Sequence, residues 1–163
     1  MDEATRGLID ALVADAREST ADLARQTGLD EAAVEEKLSE LEAAGALRGY
    51  TAVVDWDALG EEHVKAVVEV NVELDRETDY DDVARRIGES PAVDSLRLMS
   101  GDYDFAVHVS GDSMGDVSRF VSEQVAPLPA VTRTVTHYVM ETYKERGVDF
   151  TDRDDDDRLS VTP

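Results

Sequence analysis

Cysteine is absent from this 163-residue chain, which excludes a disulfide framework, a thiolate metal site and a cysteine nucleophile. Lysine is scarce. Only Lys37, Lys65 and Lys144 stand beside the arginines, and these 16 bases face 38 acidic residues, for a formal charge of -22. No apolar run approaches the roughly 18 residues that span a bilayer, and the opening "MDEATRGLID" lacks the basic start and apolar stretch of a signal peptide. A soluble cytoplasmic protein is expected. The 3 histidines, His63, His108 and His137, are too scattered for a metal-ligand or Ser/His/Asp pattern, and no phosphate-cradling glycine loop is present. No catalytic residue, metal or cofactor is expected.

The acidity runs along the whole chain, with 14 acids against 5 bases in residues 1–60 alone. Diffuse charge of this kind fits adaptation to molar intracellular salt, where the Debye length shrinks to about 3 Å and self-repulsion is screened. A halophilic source is the expectation, against the alternative of an acidic low-salt protein with basic partners. The 42% apolar content is enough for a folded core.

Leu8, Ile9, Leu12 and Val13 recur at helical spacing, giving a first amphipathic helix over residues 2–14. Ser19 or Thr20 caps a short second helix, "ADLARQT", which Gly28 ends; Asp30 caps a third, with Val34, Leu38 and Leu41 as its inward stripe. Ala24, Gly28 and Val34 stand at the offsets of a helix-turn-helix: a small residue for close approach, a glycine for the turn, a β-branched residue at the crossing. "LRGYTAVVD", residues 47–55, alternates like a strand and reads as a wing. The first domain is therefore set at residues 1–55.

From Val64 to Leu74 apolar and polar residues alternate, then Tyr80, Val83, Ala84 and Ile87 return to helical spacing. Leu96 and Leu98 mark a second strand, Phe105, Val107 and Val109 a third, Met114, Val117 and Val121 a helix, and "VTRTVTHYVMETY" a last strand. The order β-α-β-β-α-β over residues 60–146 is that of a ferredoxin-like sandwich, so the fold class is α+β. Such a sheet carries helices on one face only, and dimerisation is expected to cover the other. Residues 147–163, with four consecutive aspartates, read as a disordered acidic tail.

A winged helix-turn-helix followed by this sandwich resembles the Lrp/AsnC, or feast/famine, family of transcription regulators of bacteria and archaea. "LEAAGALRGYTAVVD" resembles the end of that family's reading helix and its wing, and "SGDYDF" is similar to its glycine-aspartate-aromatic-aspartate turn. The resemblance covers residues 2 to about 146 and implies sequence-specific binding of double-stranded DNA, an amino-acid or similar small effector, and assembly as homodimers or larger oligomers, including hetero-oligomers with paralogues. Carried over by position, the effector residues are Leu98, Gly101, Asp102, Tyr103, Asp104, Met114, His137, Tyr138 and Val139. Asp104 or Asp102 is suited to an ammonium, the glycine turn to a carboxylate, and Leu98, Met114 and Val139 to an aliphatic side chain. His137 departs from the apolar or aromatic residue usual there, a change that adds a pH-sensitive group.

The outward face of the third helix is Ala32, Ala33, Glu36, Ser39 and Glu40, and Lys37, Arg25, Arg48 and Tyr50 complete the expected DNA-facing set. The family commonly has bases at the positions of Glu36, Lys37 and Glu40; here two are inverted. DNA affinity comes largely from Lys and Arg neutralising phosphates, so this set is thin. A sensor or hetero-oligomerising partner that has lost direct DNA binding is the alternative. A similar architecture occurs in haem-pathway decarboxylases, but their many-carboxylate substrates need a basic, histidine-bearing cleft that this chain lacks.

Overall fold

The computed structural model describes residues 1–75 and 78–151. Two compact units emerge, one made of Met1–Val54 with Lys144–Asp149, the other of Asp55–Tyr143 with residues 150–151.

The first unit holds α1 (Glu3–Ala14), α2 (Thr20–Thr27) and α3 (Glu31–Ala43). Each starts on an acceptor that takes one of the orphan N–H groups of a first turn: Asp2 for Thr5, Ser19 for Asp22, Asp30 for Ala33. Leu8, Leu12, Leu23, Ala24 and Val34 form the core, with Leu38 and Leu41 half-buried against it, so the inward stripe of α3 is as its spacing predicts. Gly28 ends α2 with φ 72°, the left-handed turn expected of it.

The expected wing is not a strand. Residues 48–55 have no regular secondary structure and, among the described residues, join no ladder. The ladder in this unit is a hairpin of β5 (Lys144–Glu145) and β6 (Val148–Asp149), in which Lys144 faces Asp149 and Glu145 faces Val148. Its two turn residues, Arg146 and Gly147, both have positive φ, as a type I′ turn requires. Residues 147–149 were expected in the disordered tail and instead complete this hairpin; residues 152–163 of that tail lie outside the described residues.

In the second unit the order is β1 (Val64–Val72), α4 (Tyr80–Gly88), β2 (Val93–Leu98), β3 (Phe105–Gly111), α5 (Met114–Phe120) running into a π-helical turn, and β4 (Val131–Tyr138). The strands lie antiparallel in the order β2-β3-β1-β4. Ala66, Val68 and Val70 on β1 and Phe105, Val107 and Val109 on β3 are buried with Val83 and Ile87 of α4 and Val117 and Phe120 of α5. A strand shows alternate side chains to each face, so Val67, Glu69 and Asn71 look away from the helices. Asp79 and Ser113 cap α4 and α5 in the same way as the first three helices. No helix among the described residues is long and apolar enough to cross a membrane.

Candidate functional site

On α3, Ala32, Glu36, Ser39 and Glu40 are exposed and Ala33 half-exposed, which makes one outward face with two carboxylates four residues apart. Lys37 is not part of that face. Its Nζ donates to Asp2 Oδ2 at 3.4 Å and to Thr5 Oγ1 at 3.3 Å, tying α3 to the start of α1, and only 26% of its side chain is accessible. The Thr5 backbone N–H, then the Thr5 hydroxyl, and then this ammonium hold the Asp2 carboxyl down to about 2. Arg25 is ion-paired with Asp22 one turn earlier on α2. The Tyr50 hydroxyl donates to Glu42 Oε1 at 2.9 Å; burial first, and this carboxylate second, raise its pKa. Arg48 is exposed. The cations expected to face DNA are thus mostly engaged within the unit.

The nine expected effector residues fall into two groups. Val70 faces Phe105 and Ala66 faces Tyr138, so residues 101–104 stand by the end of β1 while residues 137–139 flank its beginning, four residues or about 13 Å away. Met114 belongs with the second group, because the Tyr138 hydroxyl donates to its carbonyl at 3.3 Å. The strand alternation separates the trio as well. His137 Nε2 lies 3.2 Å from Glu69 Oε1 on the face away from the helices, whereas Tyr138 turns to α5. A single chain does not bring the two groups together.

At the first end Gly101 takes φ 136°, a conformation that side-chain-bearing residues resist. Leu98 and Met99 are exposed, as is Asp102. Asp104 is already occupied: Oδ2 accepts the Val72 N–H at 2.8 Å and Oδ1 the Tyr80 hydroxyl at 3.2 Å. This carboxylate, first by hydrogen bonding and then by its charge, raises the Tyr80 pKa. Asn71 Nδ2 donates to the Asp102 carbonyl at 2.8 Å, where the ladder between β1 and β4 slips by a bulge. Asn71 and Tyr80 therefore hold the turn, and neither was foreseen; the reach of Asn71 to a carbonyl 31 residues away, beside a bulge, gives no signal in the sequence. At the other end Met114, Val139 and Met140 are exposed. A small cleft of about 30 Å³ lined by Thr78, Val83, Arg86, Leu128, Pro129 and Ala130 holds none of the nine. Among the described residues no cluster of His, Asp or Glu could hold a metal ion.

Known proteins share this arrangement. The "AsnC-type helix-turn-helix domain" model matches residues 1–42 and the "Lrp/AsnC ligand binding domain" model residues 65–149, more than half of the chain. The uncharacterized HTH-type transcriptional regulator YugG of Bacillus subtilis is 36% identical over 157 residues, covering 96% of this chain and 95% of that one. The leucine-responsive regulatory protein of Escherichia coli is 25% identical over 145 residues, covering 89% and 88%. Among solved structures, the Mycobacterium tuberculosis leucine response regulatory protein superposes with a TM-score of 0.71 at 25% identity, covering 90% of this chain and 97% of that one. A Neisseria meningitidis transcriptional regulator in complex with L-Met does so with a TM-score of 0.72 at 20% identity, covering 89% and 93%. These relatives are transcriptional regulators rather than enzymes, and the chain belongs to the Lrp/AsnC family of helix-turn-helix transcriptional regulators.

Proposed function

We propose that the protein is a sequence-specific transcription regulator. Its helical unit meets duplex DNA through the outer face of α3, and its sheet domain answers to an amino acid as a dimer or larger assembly. The carrying observation is the split of the effector residues between the two ends of one sheet, both ends bearing exposed apolar side chains. A second copy can set residues 101–104 against Met114 and residues 137–139 of the first. There the exposed Asp102 offers an anion to an ammonium, the glycine turn offers N–H groups to a carboxylate, and Leu98, Met114 and Val139 form an adaptable wall. The leucine-responsive and L-Met-bound relatives support an α-amino acid as the ligand.

Titration calorimetry against the twenty amino acids in about 1 M KCl is the direct test of the effector. Heat from at least one is expected, and silence from all twenty removes this half of the reading. Occupancy of the genome by the tagged protein in its native salt, with and without amino-acid starvation, tests the other half. Discrete peaks that change on starvation are expected; a flat profile sinks it.

Assembly rests on the sheet domain, whose β2 and β4 edges and helix-free face need cover. Light scattering in molar KCl is expected to give a dimer mass or a multiple of it, and a monomer mass would count against the assembly. The charge of -22 further supports a halophilic life in the cytoplasm. Lowering KCl from about 1 M to about 0.1 M lengthens the Debye length from about 3 to about 10 Å and restores repulsion among the acids. The melting temperature is expected to fall by more than about 5 °C, using 2–4 °C per kcal/mol for a chain of this size. An unchanged melting curve is the contrary result.

The inward turn of Lys37 and the pairing of Arg25 favour a second reading, a sensor that pairs with other family members and leaves DNA to them. Its discriminating experiment is a charge reversal on α3.

A further inference from the structure

We infer that the hairpin Lys144–Asp149 is a second DNA-contacting element of the helical unit, with Arg146 at its tip set against a backbone phosphate and Lys144 in support. This rests on the DNA-binding reading above. Three observations lead to it. The chain leaves the sheet domain after Tyr143, contributes six residues to the compact unit of α1–α3, and returns at Phe150, whose N–H closes the hairpin base on the Tyr143 carbonyl at 2.9 Å.

Arg146, with φ 48°, is the one non-glycine residue of positive φ among the described residues. Asn, Asp and Gly take that conformation with least strain, so an exposed arginine there is a place where backbone preference has been overruled. Strain of this kind collects at functional positions. Finally, the unit needs cations that α3 does not supply. Glu36 and Glu40 occupy its outer face while Lys37 and Arg25 are engaged with Asp2 and Asp22. Lys144 faces Asp149 across the ladder, which tempers its charge, so Arg146 leads. A guanidinium matches phosphate oxygens two at a time, which suits a lone tip residue.

The test uses the full chain and a mixed-sequence duplex of about 30 base pairs, with affinity measured from about 0.1 to about 1 M KCl. Arg146→Asn suits the turn better than arginine and removes only the charge. It is expected to flatten the plot of log affinity against log salt by about 0.9, one phosphate's share, and to weaken binding about 8-fold at the low-salt end. Arg146→Lys should keep the wild-type slope. Arg85→Asn, the same charge loss on α4, should leave it unchanged.

Wild-type behaviour of Arg146→Asn overturns the inference. So does a uniform loss with no change of slope, which means the tip acts through the fold, or an equal flattening by Arg85→Asn, which means net charge alone is read. If the wild type holds no duplex at any salt, the DNA-binding reading fails and the hairpin inference goes with it. Should the wild type bind and only the hairpin variants behave as wild type, the DNA reading stands and the hairpin falls alone.

Discussion

The double variant Glu36→Arg, Glu40→Arg is expected to hold a mixed-sequence duplex about 60-fold more tightly than the wild type in about 0.1 M KCl, with the advantage vanishing near 1 M. Both side chains are exposed and stand one turn apart on the outer face of α3. Each arginine that neutralises a phosphate adds about 0.9 to the slope of log affinity against log salt, so two add about 1.8 over a tenfold change in salt. Fluorescence anisotropy across that range reads both numbers. A glutamate can also accept from cytosine N4, and if Glu36 reads a base in this way, Glu36→Gln loses the preferred site while barely changing non-specific binding. Should neither the wild type nor the double variant retain duplex in native salt, and Arg48→Ala also change nothing, α3 is not a DNA reader and the partner-protein reading takes its place.

Asp104→Ala is expected to lower the melting temperature by about 2–12 °C. The Val72 N–H and the Tyr80 hydroxyl lose their shared acceptor; the exposed hydroxyl turns to water, while the partly buried N–H left unpaired costs about 1–3 kcal/mol, at about 2–4 °C per kcal/mol for this chain length. The turn of residues 101–104 then loses its tie to β1 and to α4, and effector heat is expected to fall with it. Asp102→Ala is the contrasting variant, since only its carbonyl is used, by Asn71, and its side chain is exposed. It should keep the melting temperature and weaken the effector by 10-fold or more, about 1.4 kcal/mol for a lost charge-assisted bond. If Asp102→Ala binds as the wild type does, while Asp104→Asn melts normally and binds nothing, the ammonium partner is Asp104 instead.

The two aspartates show how far a sequence speaks for a site. Their position in "SGDYDF" was legible, but which one has a free carboxylate depends on Val72 and Tyr80, which come from other elements. Helix starts were legible because a cap is a local bond, as at Ser19, Asp30 and Ser113. Lys37 was misplaced for a reason that its spacing contains. It lies three residues after Val34 and four before Leu41, on the flank of the buried stripe, and its long stem reaches back to Asp2. The wing failed differently. Alternation in residues 47–55 describes an extended segment but says nothing of a pairing partner, and strands of two residues such as β5 and β6 are too short to show any period.

The absence of cysteine makes methionine the only sulfur in the chain, and all four methionines are exposed, Met114 by 56% and Met140 by 92%. Three of them stand at the two ends of the sheet, Met99 beside the glycine turn, Met114 and Met140 beside the end of β4. Oxidants turn a thioether into a polar sulfoxide, a change that methionine sulfoxide reductases reverse. The buried cores contain no sulfur to attack. Oxidative damage is therefore expected to strike the apolar wall proposed for the effector while the sulfur-free cores stand, so that effector heat falls before the melting temperature does.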